Sequence, residues 1–151
     1  MASSSTDDAF PPFEHFSVKR KLGDGTFGEV FAAVDTRNDG LCAIKRPRRL
    51  RQKSGVELPA YREMTLLRGL THPCVVGLLG VFLDPKPEQG SSRKLNLVLE
   101  YVEGGDLAQR IKALHESGGS FPQETIRAIA RQLVEAVAFL HSRQAAGVDH
   151  R

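Results

Sequence analysis

The chain has 151 residues, of which 40% are hydrophobic and 26% charged, with a formal net charge of +3. That length supports a real core and that composition excludes wholesale disorder, while so small a basic excess excludes an obligate nucleic-acid binder. Two cysteines, Cys42 and Cys74, are too few for a disulfide framework and fit a reducing compartment, each as a small buried thiol among apolar neighbours.

Residues 1–13 (MASSSTDDAFPPF) are polar and end beside a proline pair, the composition of a flexible tail. Residues 1–8 have neither the basic start nor the apolar stretch of a signal peptide. No apolar run is as long as a membrane span, so no membrane partner is expected and the location is intracellular, in nucleus or cytoplasm. Phe16, Val18 and Leu22 fit a strand running into a glycine loop, and residues 30–34 (VFAAV) fit a second strand. Asn38-Asp39-Gly40 is a hairpin turn signal, because these residues tolerate positive φ, and residues 41–45 make the return strand.

Residues 46–54 form a basic loop, and Pro59 stands near the start of a helix carrying Glu63, Leu66, Leu67 and Leu70 at helical spacing. His72-Pro73 is expected to stop that helix. Residues 75–82 read as a strand, residues 84–94 as a solvated loop, and Leu95, Leu97 and Leu99 alternate in a last strand ended by Gly104-Gly105. A short helix begins near Asp106 and is broken by Gly118-Gly119. A longer one follows Pro122, with Ile126, Ile129, Leu133, Val137 and Leu140 along one stripe. Five strands with one inserted helix, then helices, make an α+β pattern.

The chemistry is concentrated in Gly23-Asp24-Gly25-Thr26-Phe27-Gly28-Glu29-Val30, which reads G-x-G-x-x-G-x-V. Glycines at this spacing let the backbone fold over phosphates and point N–H groups at them. A dinucleotide-binding loop would open a helix and be followed some twenty residues on by an acidic ribose ligand. Here a strand follows, and the residue at about that distance is Lys45. The period-two rule puts Ala43 and Lys45 on one face of their strand, a small residue and a cation on one wall.

The loop resembles the glycine-rich loop of protein kinases, and further motifs follow in the family's order. Ala43-Ile44-Lys45 resembles the end of the family's third strand, where the lysine contacts ATP phosphates. Glu63 corresponds to the helix glutamate that pairs with this lysine, and Lys45 and Glu63 are the catalytic-site residues so implied. Leu99-Glu100-Tyr101-Val102 resembles the hinge, with Leu99 as gatekeeper and backbone groups of Glu100 and Val102 at the adenine edge. Asp106 takes the ribose position, and Leu22, Val30, Ala43 and Leu107 the apolar faces around adenine. The resemblance implies an ATP site lined by Leu22, Gly23, Asp24, Gly25, Thr26, Phe27, Gly28, Glu29, Val30, Ala43, Lys45, Leu99, Glu100, Val102, Asp106 and Leu107. The implied fold is a kinase N-lobe, a five-stranded antiparallel sheet plus one helix, over 14–102. The start of a helical C-lobe then follows over 103–151.

Within the family the chain is similar to cyclin-dependent kinases. Residues 55–64 (GVELPAYREM) share Gly-Val, then Ala-x-Arg-Glu, with the helix those kinases turn toward cyclin. A cyclin-like partner and a Ser/Thr protein substrate are therefore implied. Thr26-Phe27 stands where many relatives carry Thr-Tyr, a pair of inhibitory phosphosites, so Thr26 is a regulatory phosphosite candidate. The basic run over 45–53 reads first as a solvated loop and second as a nuclear localisation patch. The five histidines show no metal-ligand pattern. The catalytic signature H-R-D-L-x-x-x-N is met only by His150-Arg151, and no Asp-Phe-Gly occurs. The expectation is a partial kinase, whether a fragment, a truncated gene model or a transcript with a disturbed frame, that binds ATP weakly without transferring its γ-phosphoryl group, Mg²⁺ being needed only in the complete kinase. The alternative is a non-catalytic kinase-like module that binds a cyclin-like partner.

Overall fold

The computed structural model describes residues 13–26, 28–47, 58–84 and 94–145. A 3-10 turn, Phe13–His15, leads into β1 (Phe16–Gly25), β2 (Gly28–Asp35) and β3 (Gly40–Pro47). Then come α1 (Leu58–Leu67), β4 (Leu78–Leu83), β5 (Leu95–Glu100), α2 (Leu107–Glu116) and α3 (Gln123–Ala145). The strands form one antiparallel sheet in the order β1-β2-β3-β5-β4. The chain divides into two compact units, Met1–Leu70 with Gly77–Tyr101 and Thr71–Val76 with Val102–Arg151. No helix among the described residues is long and apolar enough to cross a membrane.

In the first unit, directly opposed residues share a face of the sheet and neighbours along a strand alternate. One face gathers Phe16, Ala33, Cys42, Ile44, Phe82 and Val98 into the core, with the rings of Phe16 and Phe82 stacked at 5.1 Å between centroids. Burial, and secondarily the charge of Asp35, pushes the Cys42 thiol up from its ordinary pKa, as befits an inert core thiol. Cys74, expected to be buried as well, is only half-buried.

The β2–β3 turn forms as its residues dictate. Asp39 takes φ 55°, and Asn38 Oδ1 accepts the Gly40 N–H at 2.8 Å. Beside it Arg37 Nε and Nη2 donate to the two oxygens of buried Asp35 at 2.8 and 2.6 Å. The Arg37 guanidinium thereby holds the Asp35 carboxyl at about 2, below its ordinary 3.8. A depressed folded pKa stabilises at pH above the unfolded value and is lost as pH falls through the folded one. Acid titration should therefore remove on the order of 1–2 kcal/mol between about pH 4 and pH 2, a figure reduced for the half-exposed Arg37. Urea midpoints across that range should fall in the native chain and fall less in Arg37→Gln; equal slopes would remove the pair from the acid response.

Some boundaries and the burial of one residue differ from the sequence expectation. Helix α1 ends at Leu67, because Gly69 adopts φ 81° and closes the helix, so Leu70 lies beyond it and His72-Pro73 is not its stop. Strand β4 begins at Leu78 and not at residue 75. Pro73 favours a tight turn instead, in which the Val75 N–H donates to the His72 carbonyl at 3.1 Å. In β5, Asn96 is as buried as the leucines beside it, since both faces of that strand are covered, one by the core and one on the side of α1. Its amide donates to Asp84 Oδ1 at 2.7 Å. The expected loop over 84–94 lies outside the described residues apart from its ends. The basic loop expected over 46–54 starts later, since pairing with Glu29 and Gly28 keeps Arg46 and Pro47 in β3, and its remainder lies outside the described residues.

In the second unit Asp106 is the N-cap of α2, accepting the Gln109 N–H at 2.7 Å. The helix closes at Ser117 with Gly118 at φ 71°. On α3, Ile126, Leu133, Val137 and Leu140 are 54%, 59%, 47% and 39% exposed, while Ile129 is half-buried. Phe139 stacks on His72 at 4.7 Å.

Candidate functional site

Strands β1 and β2 form a hairpin that closes where Gly25 faces Gly28, with Thr26 exposed at its tip and Phe27 outside the described residues. The three glycines have different reasons to be glycine. Gly28 has φ 140°, and a Cβ there would meet the Arg46 carbonyl oxygen at 2.2 Å, so the packing of β2 on β3 forbids any side chain. At Gly23 and Gly25 a Cβ would meet nothing within 4 Å. No contact among the described residues explains those two, and the space beside them is open to a ligand.

Register then collects the wall. Lys45 opposes Val30 on β2 and Leu97 on β5, and Ala43 opposes Ala32 and Leu99. Val30, Ala43, Lys45, Leu97 and Leu99 therefore share one face, opposite to the core. Leu22 is half-buried at an irregularity in the β1–β2 pairing between Lys21 and Gly23. From α1, Glu63 reaches Lys45, whose Nζ donates to Oε1 at 2.7 Å and to Oε2 at 2.8 Å. The two side chains are 21% and 35% exposed, so the ammonium is fixed in place and still accessible. At the end of β5 the Glu100 N–H donates to the Gly77 carbonyl at 2.9 Å, and its carboxylate accepts the Gly77 N–H at 3.2 Å. The carbonyl, not the N–H, is the backbone group that Glu100 would present.

The first unit thus brings together the glycine hairpin, Val30, Ala43, Lys45, Glu63 and Leu99. Val102, Asp106 and Leu107 belong to the second unit, where Asp106 caps α2 and Val102 is 58% exposed. Of residues 55–64, the helical part starts at Leu58, and residues 55–57 lie outside the described residues. Among the described residues no group of three or more His, Cys, Asp or Glu is placed to hold a metal ion.

One participant had no place in the sequence reading. Lys21 Nζ lies 2.8 Å from Asp24 Oδ2 and 2.6 Å from Glu29 Oε1, joining two carboxylates of the glycine loop. Only the cross-strand register reveals it, although a lysine three residues before an acidic loop position is a partial signal. The arrangement as a whole offers an apolar wall for a flat ring, a positioned cation and bare backbone on a hairpin, which together suit a nucleoside polyphosphate.

Comparison with known proteins gives the same direction. The family model for the protein kinase domain matches residues 16–151. The chain is 35% identical over 139 residues to cell division control protein 2 homolog 3 of Trypanosoma brucei brucei, covering 92% of this chain and 40% of that protein. It is 31% identical over 156 residues to cyclin-dependent kinase B2-2 of Arabidopsis thaliana, covering 100% of this chain and 46% of that protein. To the CBL-interacting serine/threonine-protein kinase 18 of Arabidopsis thaliana it is 33% identical over 137 residues, 90% of this chain and 24% of that protein. The chain thus spans less than half the length of these curated relatives.

Proposed function

The chain belongs to the protein kinase family, and on that premise we propose that it is the ATP-binding part of a cyclin-dependent-type serine/threonine kinase. The complete enzyme would transfer the ATP γ-phosphoryl group to Ser or Thr of a protein, working in nucleus or cytoplasm. The observation that carries this reading is the Lys45–Glu63 contact, with both carboxylate oxygens on one ammonium beside the glycine hairpin. In this proposal Glu63 orients Lys45 toward the α- and β-phosphates, and backbone N–H groups around Gly23 and Gly25 cover them. In the first unit Leu22, Val30 and Ala43 face adenine, with Leu99 behind it and the Glu100 carbonyl at its edge. The family's pattern alone assigns Leu107 and the Val102 N–H to adenine and Asp106 to the ribose hydroxyls. Mg²⁺, when bound in the family, neutralises phosphate charge, held by residues of the H-R-D-L-x-x-x-N and Asp-Phe-Gly motifs. Of these motifs the present residues include only His150-Arg151. Titration calorimetry of the chain with ATP tests the reading, and absence of any binding would end it.

A second reading is favoured by the exposed apolar residues of α1, Tyr61 and Leu66, at 51% and 64%. Two of the relatives described above are named for cell division control or cyclin dependence. This surface is accordingly proposed to receive a cyclin-like partner, with or without catalysis. Regulation is proposed at Thr26, exposed at the hairpin tip. A phosphate there adds about −1.5 to −2 charges beside those of ATP. In the full-length kinase Thr26→Glu should weaken ATP binding severalfold; unchanged affinity would dismiss the site.

A further inference from the structure

The glycine hairpin lacks the two things that usually stiffen a strand pair. Its ladder is irregular between Lys21 and Gly23, and Gly23 and Gly25 carry no side chains to pack. What spans the gap is Lys21. Its bond to Glu29 crosses from β1 to β2, and its bond to Asp24 runs along β1 toward the tip. Glu29 lies between Gly28 and Val30 in the strand, so its side chain leaves on the face opposite to Val30, away from the apolar wall. Lys21 opposes Phe31 and shares that face, which is outer with respect to the apolar wall and carries the core farther along the sheet.

We propose that Lys21 is a positioning residue, an electrostatic latch on the outer face of the glycine hairpin that holds it in the shape needed over a nucleotide. The proposal rests on the nucleotide reading given above. Two carboxylates next to a polyanion would oppose binding, and one ammonium shared between them halves that charge while tying the strands. The hydrogen bonds to Asp24 first and Glu29 second hold the Lys21 ammonium above its ordinary pKa, so it stays charged at any pH where the chain works. All three side chains are about two-fifths exposed, which makes the latch sensitive to salt.

The test is a cycle of three proteins compared with the native 151-residue chain: Lys21→Met, Asp24→Asn with Glu29→Gln, and all three changes together. The first readout is amide hydrogen exchange over the hairpin without nucleotide. Lys21→Met and the double change should each speed exchange by about 3–10-fold, and the triple variant no more than either, because all break the same latch. High salt should reproduce the effect in the native chain. The second readout is ATP affinity, which Lys21→Met should weaken by about 3–10-fold through the loosened hairpin. Exchange that is unchanged, or that accelerates additively in the triple variant, overturns the latch. Altered exchange with unaltered ATP affinity overturns its positioning role. If the native chain binds ATP and Lys45→Met abolishes this while Lys21→Met changes nothing, the latch fails and the nucleotide reading stands. If the exchange pattern appears but no protein in the set binds ATP, the nucleotide reading fails and the positioning role falls with it.

Discussion

Replacing Lys45 by Met should weaken ATP binding about 10–100-fold, the loss expected when a charge-assisted contact worth about 1.5–3 kcal/mol disappears. Two effects act in one direction. The ammonium that would meet the phosphates is gone, and Glu63, which now gives both oxygens to Lys45 at 2.7 and 2.8 Å, is left as a carboxylate facing an incoming polyanion. Methionine fills nearly the same space between Val30 and Leu97, so the sheet should fold as before. An unchanged thermal midpoint without nucleotide would show that. Glu63→Gln separates the two contributions, since it removes the charge and keeps one acceptor. It should cost less than Lys45→Met, about 3–10-fold, through a less firmly held lysine. Calorimetric titration of the three proteins with ATP decides the matter. Equal affinity in Lys45→Met would take Lys45 out of the site and leave the glycine hairpin without a reason for its bare backbone.

What could be read from the sequence follows from how local each determinant is. Asn38-Asp39-Gly40 needs only its own side chains and φ preferences, and the turn forms there. The alternation that puts Ala43 and Lys45 on one face is a property of one strand, and pairing with β5 adds Leu99 and Leu97 to that face. Asp106 caps a helix through an oxygen three residues from its target, again a short-range matter. Determinants that depend on two elements were less legible. Leu70 fits the helical period, yet Gly69 takes a left-handed conformation that the apolar pattern cannot register. Val75 and Val76 look like the start of β4, yet Pro73 and the His72 carbonyl claim that backbone for a turn. Asn96 looks like the solvent side of an alternating strand until β5 is found between β3 and β4, where Asn96 opposes Phe82 on the core face. Lys21 is the most hidden of all, because its partners are set by an irregular cross-strand register that no periodicity encodes.

The 151 residues by themselves should bind nucleotide and transfer nothing. Phosphoryl transfer needs metal to neutralise charge on the moving group and a carboxylate to orient the accepting hydroxyl. In the family's order both come from the motif that opens with His150-Arg151 and from the later Asp-Phe-Gly. Lys45 and Glu63 can fix a nucleotide but supply neither function, because their charges are already spent on each other and on phosphate. Phosphate incorporation into a generic peptide with Mg-ATP should therefore stay at background. The same residues joined to the remaining C-lobe sequence of a relative should gain activity, and should lose it again with Lys45→Met. Partner capture through α1 without turnover would favour the non-catalytic reading, provided that Tyr61→Ala with Arg62→Glu abolishes it. Association is the second expectation for the isolated residues. Leu133 and Val137 stand 59% and 47% exposed on the same side of α3 as Ile126 and Leu140. Each such side chain is worth roughly 1.5–3 kcal/mol when fully buried, a strong drive for one open stripe to find another. Light scattering should show concentration-dependent oligomers that Leu133→Lys with Val137→Lys disperses. A monomer that phosphorylates peptide would refute the catalytic argument, because no group among these residues could then be doing what the missing motif does in the family. A silent monomer would refute only the association, and would mean that the stripe is tolerated in water as a scatter of single apolar residues.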